Sequence, residues 1–328
     1  MSTKILGMGN ALVDVLTIIP TDDILQRMNL AKGSMQLIDE TLLQKLKEET
    51  KNLTPHFVAG GSASNTLSIL ARLGVNTKFI GKIGHDEVGT FFQKDTLNNG
   101  VVPSFFYSSK PSGQCTVLIS KDGERTMCTY LGASADMSKD DLNATLFDDF
   151  QLFHIEGYLV QNYDLIRQAI DFAKSNGLTV SLDVSSFNVV EENLSFLREI
   201  IAEKVDIVFA NEDEVKALTQ KELSQAMIEL ASMCSIAVVK LGKKGSVIHH
   251  GNDQLHIPIH EAKRIDTTGA GDAYAAGFLY GWVHSLPLEM SGQIGSFLAA
   301  NVIEEIGPKI LPERWDRIFK WINELTHV

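Results

Sequence analysis

The chain predicts a doubly wound α/β fold: a mostly parallel sheet with helices on both faces and a small inserted group of strands. Two observations carry this. Short apolar runs of strand length alternate with segments whose apolar residues recur at helical spacing. Two stretches, 12–38 and 101–131, break that rhythm with turn-forming residues between extended segments. With 328 residues, 44% of them apolar, the chain can bury a core of this size.

In order, residues 4–9 and 15–19 read as extended and apolar. Residues 62–73 read as a helix stopped by Gly74, and 78–83 as a strand. Segments 152–155 and 179–182 look like buried strands. Between them Leu165, Ile166, Ala169, Ile170 and Ala173 share one helical face, which Asn176-Gly177 ends. Segments 207–210 and 236–241 repeat the buried-strand pattern, and about 270–284 and 293–306 read as helices. Turns at Lys32-Gly33, Pro111-Ser112-Gly113 and Lys121-Asp122-Gly123 divide the two irregular stretches into what read as antiparallel strands. These are expected to form a small lid. No low-complexity linker divides 1–328, so one core domain with an inserted lid is expected.

Lys and Arg total 29 against 41 Asp and Glu, a formal charge of −12. That balance repels phosphate backbones and anionic lipid, so neither nucleic acid nor a membrane is an expected partner. A nucleoside triphosphate stays compatible, because backbone amides and a metal can hold it without a basic surface. Cys115, Cys128 and Cys234 are odd in number and lack metal spacing, which fits a reducing cytoplasm. Glycines and Asp14 interrupt the apolar start, so no secretory leader is expected, and 273–283 is too short to span a bilayer. His256 and His260 flank Ile257-Pro258-Ile259 without a third ligand at zinc spacing, so an exposed hairpin is expected there.

The string Asp266-Thr267-Thr268-Gly269-Ala270-Gly271-Asp272 is the strongest chemical signal. Its glycines allow a tight turn into a helix whose first amides point outward, an anion site at the positive end of the helix dipole. A carboxylate at that mouth can take a proton from an attacking hydroxyl. An N-capping aspartate would account for one residue of the string and not for the string as a unit.

Together with Gly60-Gly61-Ser62-Ala63-Ser64-Asn65 far upstream, this string resembles the two signatures of the ribokinase-like (PfkB) carbohydrate and nucleoside kinase family, over nearly the whole chain. The resemblance implies a three-layer α/β core with a β lid, ATP as donor, Mg²⁺, and transfer to a primary hydroxymethyl group. Asp272 would be the base, with Gly269, Ala270 and Gly271 forming the anion hole. Asp14 would hold sugar hydroxyls, beside Gly60, Gly61 and Asn65. Asn211 and Glu214 match the family's Asn-x-x-Glu and would place Mg²⁺ through water, as a hard cation that keeps its waters prefers. Lys240, Gly242 and Gly245 would lie beside the nucleotide, and Arg125 would reach the transferring phosphoryl from the lid. Asp266, Thr268, Val302, Glu305 and Gly307 match positions that hold a monovalent cation, K⁺, in the ribokinase branch.

The substrate signals are mixed. Asn10, Gln36, Arg125 and Tyr158 resemble the adenosine kinase branch, whereas Glu156 resembles the sugar-contacting glutamate of ribokinases. An adenosine-like nucleoside is expected, with ribose, fructose or 2-keto-3-deoxygluconate as the alternative and a monomer or homodimer as the assembly. A nicotinamide oxidoreductase is disfavoured because the third glycine of Gly7-x-Gly9 would fall on Leu12. No P-loop string occurs either. A non-catalytic nucleotide-binding regulator is disfavoured by the intact Asp272 and its glycines.

Overall fold

The computed structural model describes residues 3–326. Its strands are β1 (Lys4–Met8), β2 (Leu12–Ile18), β3 (Met35–Leu37), β4 (His56–Ala59), β5 (Asn76–Gly84), β6 (Val101–Ser108) and β7 (Gly113–Ile119). They continue with β8 (Arg125–Tyr130), β9 (Leu152–Glu156), β10 (Thr179–Asp183), β11 (Ile207–Asn211), β12 (Ile236–Lys240), β13 (Ser246–His250) and β14 (Asp253–Ile257). Nine of them form one sheet in the order β14-β13-β12-β11-β10-β9-β1-β5-β6. It is parallel from β6 to β12, and β13 and β14 close it with antiparallel pairs. The other five form a smaller sheet, β3-β8-β7-β2-β4.

The parallel strands read as continuous apolar runs because both faces are covered. Along β11, Ile207 and Phe209 enter one core with Phe79, Phe278 and Leu279. Val208 and Ala210 enter the other with Phe153, Ile166 and Ile170. Alternate side chains thus feed two helical layers, the three-layer arrangement expected. The helix Tyr163–Ser175 buries the five residues its spacing selects, and its N-cap Asn162 accepts from the Leu165 amide at 3.1 Å.

Several boundaries differ from expectation. Val101–Ser108, expected in the small sheet, pairs parallel to β5 at the edge of the large one. The helix Glu87–Asn98 carries the chain back between the two strands, as a parallel connection requires. His56–Ala59 joins the small sheet instead. Two of the small sheet's pairings, β2 with β7 and β3 with β8, are parallel, not antiparallel. The helix expected at 293–306 is Leu288–Val302, starting after Pro287. Just past its end Glu304 and Glu305 pair with Arg314. The helix Trp315–Thr326 is not among the expected elements, and the hairpin expected around His256 is β13–β14.

His256 is exposed at that hairpin, and His260 packs edge-on against Phe297 and Trp321. Among the described residues no group of three His, Cys, Asp or Glu side chains is placed to hold a metal ion. No helix among them is long and apolar enough to cross a membrane.

Candidate active site

Glu156, Asp183, Asn211 and Lys240 end β9, β10, β11 and β12 in turn, a polar row at the carboxyl edge of the parallel sheet. That edge is where doubly wound sheets bind ligands. The helix Ala270–Val283 aims its N-terminus into the row, entered through Gly269 at φ 76°. A side chain there would strike Pro308, 2.6 Å from where a Cβ would stand. Of the three expected anion-hole residues, Ala270 has its amide on Thr267 O at 3.2 Å. The amides of the N-cap Gly269 and of the first-turn residues Gly271 and Asp272 have no backbone partner among the described residues.

Asp272 is held by the helix Ser62–Arg72. Ser62 Oγ donates to Oδ1 at 2.7 Å and Asn65 Nδ2 to Oδ2 at 2.8 Å. The N-cap of that helix is Gly61, at φ 88°, so Ser62 is free to reach Asp272. Burial pushes the Asp272 carboxyl above its ordinary range, against the pull of Asn65 and Ser62. A carboxylate whose affinity for protons is raised is the better proton acceptor.

Glu156 does not stand where the sugar-contact reading put it. It is 1% exposed. Its Oε1 accepts from the Asn10 amide at 2.8 Å and from Asn10 Nδ2 at 2.7 Å, and its Oε2 accepts from the Ala63 amide at 3.1 Å. Asn10 is itself buried. The glutamate therefore ties the ends of β1 and β9 to the helix that carries Asn65. Burial raises it to about 7, although three N–H donors pull the other way.

The small sheet brings Asp14 and Arg125 over this mouth. Asp14 lies beside Gly60, where an added Cβ would be 3.5 Å from its Oδ2. Burial raises Asp14 to about 6, partly offset by Arg125. Arg125 does not point to an empty phosphoryl position: its Nη1 is 3.4 Å from Asp266 Oδ2. Asp266 also accepts from Gly307 N at 2.9 Å and from the Thr268 amide and hydroxyl at 3.0 and 2.8 Å. These contacts bring Asp266, Thr268 and Gly307 together, while the Glu305 carboxylate goes to Arg314 and Val302 ends its helix. Gln36 departs from expectation. It is in register with Cys128, whose side chain packs into the cluster with Leu46, on the face opposite Asp14, Cys115 and Thr129. Side chains alternate along a strand, so Gln36 faces the helix Glu40–Thr50.

Asn211 caps the helix Glu212–Thr219 and donates to both oxygens of Glu214, at 2.7 Å from its amide and 2.6 Å from Nδ2. Burial and the neighbouring Asp183 push Glu214 upward, and Lys240 eases it. Gly242 faces open space, but Gly245 is a packing position: a Cβ there would lie 2.0 Å from Ile257 O. Tyr158, 42% exposed, walls a cavity of about 480 Å³ with Asn10, Leu131, Met137 and Asn162. Sequence reasoning missed Asp183, which pairs with Lys240 at 3.0 Å. Its one signal was its place just past the buried run 179–182.

A carboxylate at a helix mouth with free amides, set at the strand ends of a doubly wound sheet, defines an enzyme that moves an anionic group onto a hydroxyl. The model of the pfkB family of carbohydrate kinases matches residues 27–314. The chain belongs to that family, on the side of the adenosine kinases, and is a nucleoside or sugar kinase. The crystal structure of adenosine kinase from Sinorhizobium meliloti is 31% identical, with TM-score 0.85, covering 98% of this chain and 100% of that one. A probable sugar kinase protein from Rhizobium etli CFN 42 is 29% identical, with TM-score 0.86, covering 99% and 100%. Adenosine kinase 2 of Arabidopsis thaliana is 24% identical over 95% of this chain and 96% of its own length. Membership implies ATP and usually Mg²⁺.

Proposed function

We propose that the protein transfers the γ-phosphate of ATP to the 5′-hydroxymethyl of a ribonucleoside, adenosine first. The cavity beside Asn10 carries this reading, because Tyr158, Leu131 and Met137 offer a base an apolar wall that a free sugar would not need. Asp272 takes the hydroxyl proton, while the amides of Gly271 and Asp272 receive the phosphoryl charge. Asp14 and Asn65 hold the ribose hydroxyls, with Gly60 and Gly61 leaving the backbone open. Arg125 turns from Asp266 to the phosphates when they arrive. Lys240 and Gly242 lie beside the nucleotide.

The Glu214 carboxylate fits Mg²⁺ through water: each oxygen has one contact from Asn211 and keeps a second lone pair, while Asn211 Oδ1 already accepts the Asp213 and Glu214 amides and holds the carboxylate in place. Bound there, the ion would neutralise phosphate charge. A resident K⁺ fits less well, since Asp266 already meets three partners. Cytoplasmic location is supported by three free cysteines.

The test is a panel of nucleosides and sugars in an ADP-coupled assay. Adenosine should exceed ribose and fructose in kcat/KM, and Tyr158→Ala should erode that advantage by roughly 10- to 100-fold, the worth of one aromatic stack on a base. A pentose or hexose used faster than every nucleoside would move the protein to the sugar-kinase side.

Asp14 adds a pH signature. Its pKa is about 6, so the ionised form that accepts hydroxyl donors is lost as pH falls through 6. Acceptor KM should rise roughly tenfold per pH unit below that point, and Asp14→Asn should show a high KM without this dependence. An acceptor KM flat from pH 5 to 8 would refute the role.

A further inference from the structure

Asp183 and Lys240 meet from strands far apart in sequence. Lys240 Nζ is 3.0 Å from Asp183 Oδ2, with the side chains only 18% and 7% exposed. The other carboxylate oxygen accepts the Ser185 amide at 2.9 Å. Ser185 takes a φ of 70° at that turn, in the left-handed region serine seldom adopts. The aspartate is thus fixed at both oxygens. The ammonium it holds stands at the helix mouth: a Cβ on Gly271 would lie 3.0 Å from Nζ.

A buried ion pair is a poor source of stability, because desolvating two charges offsets most of their attraction. What the pair supplies is place. An unpinned lysine samples many rotamers and drifts on its four-carbon stem. Pinned, it presents a fixed positive charge where phosphoryl charge arrives, and fixed charge needs no reorganisation during the reaction.

We infer that Asp183 is a positioning residue that holds the Lys240 ammonium beside the Gly271 and Asp272 amides, facing the phosphoryl group in transit. This rests on the reading of that helix mouth as the phosphoryl site.

The full-length chain, with Mg·ATP and the best acceptor of the panel, provides the test. Lys240→Met should lower kcat about a hundredfold and leave the acceptor KM within about threefold, because the ammonium faces phosphate and not the acceptor. Asp183→Asn should lose roughly tenfold in kcat with the same flat KM, and Lys240→Arg should recover part of the loss. The double variant Asp183→Asn/Lys240→Met should be no slower than Lys240→Met alone, since the aspartate acts through the lysine. It also removes both charges of the pair together, so it serves if a single variant does not fold. Wild-type kcat in Asp183→Asn or in the double variant, or losses that multiply, would overturn the inference. An active Asp272→Asn enzyme would instead overturn the helix-mouth reading. Inactive Asp272→Asn beside a fully active Lys240→Met would sink only the role of the pair.

Discussion

Asp272→Asn should fold like the wild type and lose turnover by about 10²–10⁴-fold, the usual contribution of a general base. The substitution is nearly isosteric. Its carbonyl oxygen can still accept from Ser62 or Asn65, which now hold the carboxylate at 2.7 and 2.8 Å. Both donors come from the helix Ser62–Arg72, so the local frame stays in place. What is lost is the proton acceptor and the charge whose basicity burial has raised. The acceptor KM should change little if, as proposed, Asp14 and Asn65 carry the ribose. Turnover at the wild-type level in a protein with an unchanged Tm would remove Asp272 from the chemistry.

The sequence made one part of this site legible because that part is local. The DTTGAGD string contains both the turn and the carboxylate, and Asn211 with Glu214 caps a helix within one turn. The alternating strands and helices were equally readable, since each apolar run reports its own burial. Partnerships across the fold left no such trace. Glu156 reads like a sugar contact until β9 and β1 pair and bring Asn10 to its oxygens. Arg125 reads as a free lid arginine until the loop at Asp266 folds beneath it. Gly245 suggests room for a nucleotide, yet the β14 backbone fills that space. Gln36 and Val101–Ser108 failed for a related reason: face and sheet membership depend on register, which composition does not encode.

Glu156→Ala should be the most destabilising single change in the site. The side chain is fully enclosed and accepts three N–H donors, two from Asn10 and one from Ala63. Removing it strands those donors in a water-poor space, at about 1–3 kcal/mol for each left unpaired. Partial relaxation and entry of water into the vacated space should hold the sum to roughly 3–5 kcal/mol. The room is tightly set: Gly9 is bare because a Cβ there would lie 2.4 Å from Glu156 Oε2. Asp14→Ala is the control. That carboxylate is only partly buried and has no hydrogen-bond partner among the described side chains, and ionising it in the fold is already unfavourable. Its loss should leave stability within about 1 kcal/mol or raise it slightly. Urea titration at pH 7 distinguishes the two, since a change of that size moves the midpoint by more than 1 M at a slope of about 1–3 kcal/mol/M. Equal midpoints for Glu156→Ala and wild type would mean that the strand ends and the Asn65 helix are held by something other than this carboxylate.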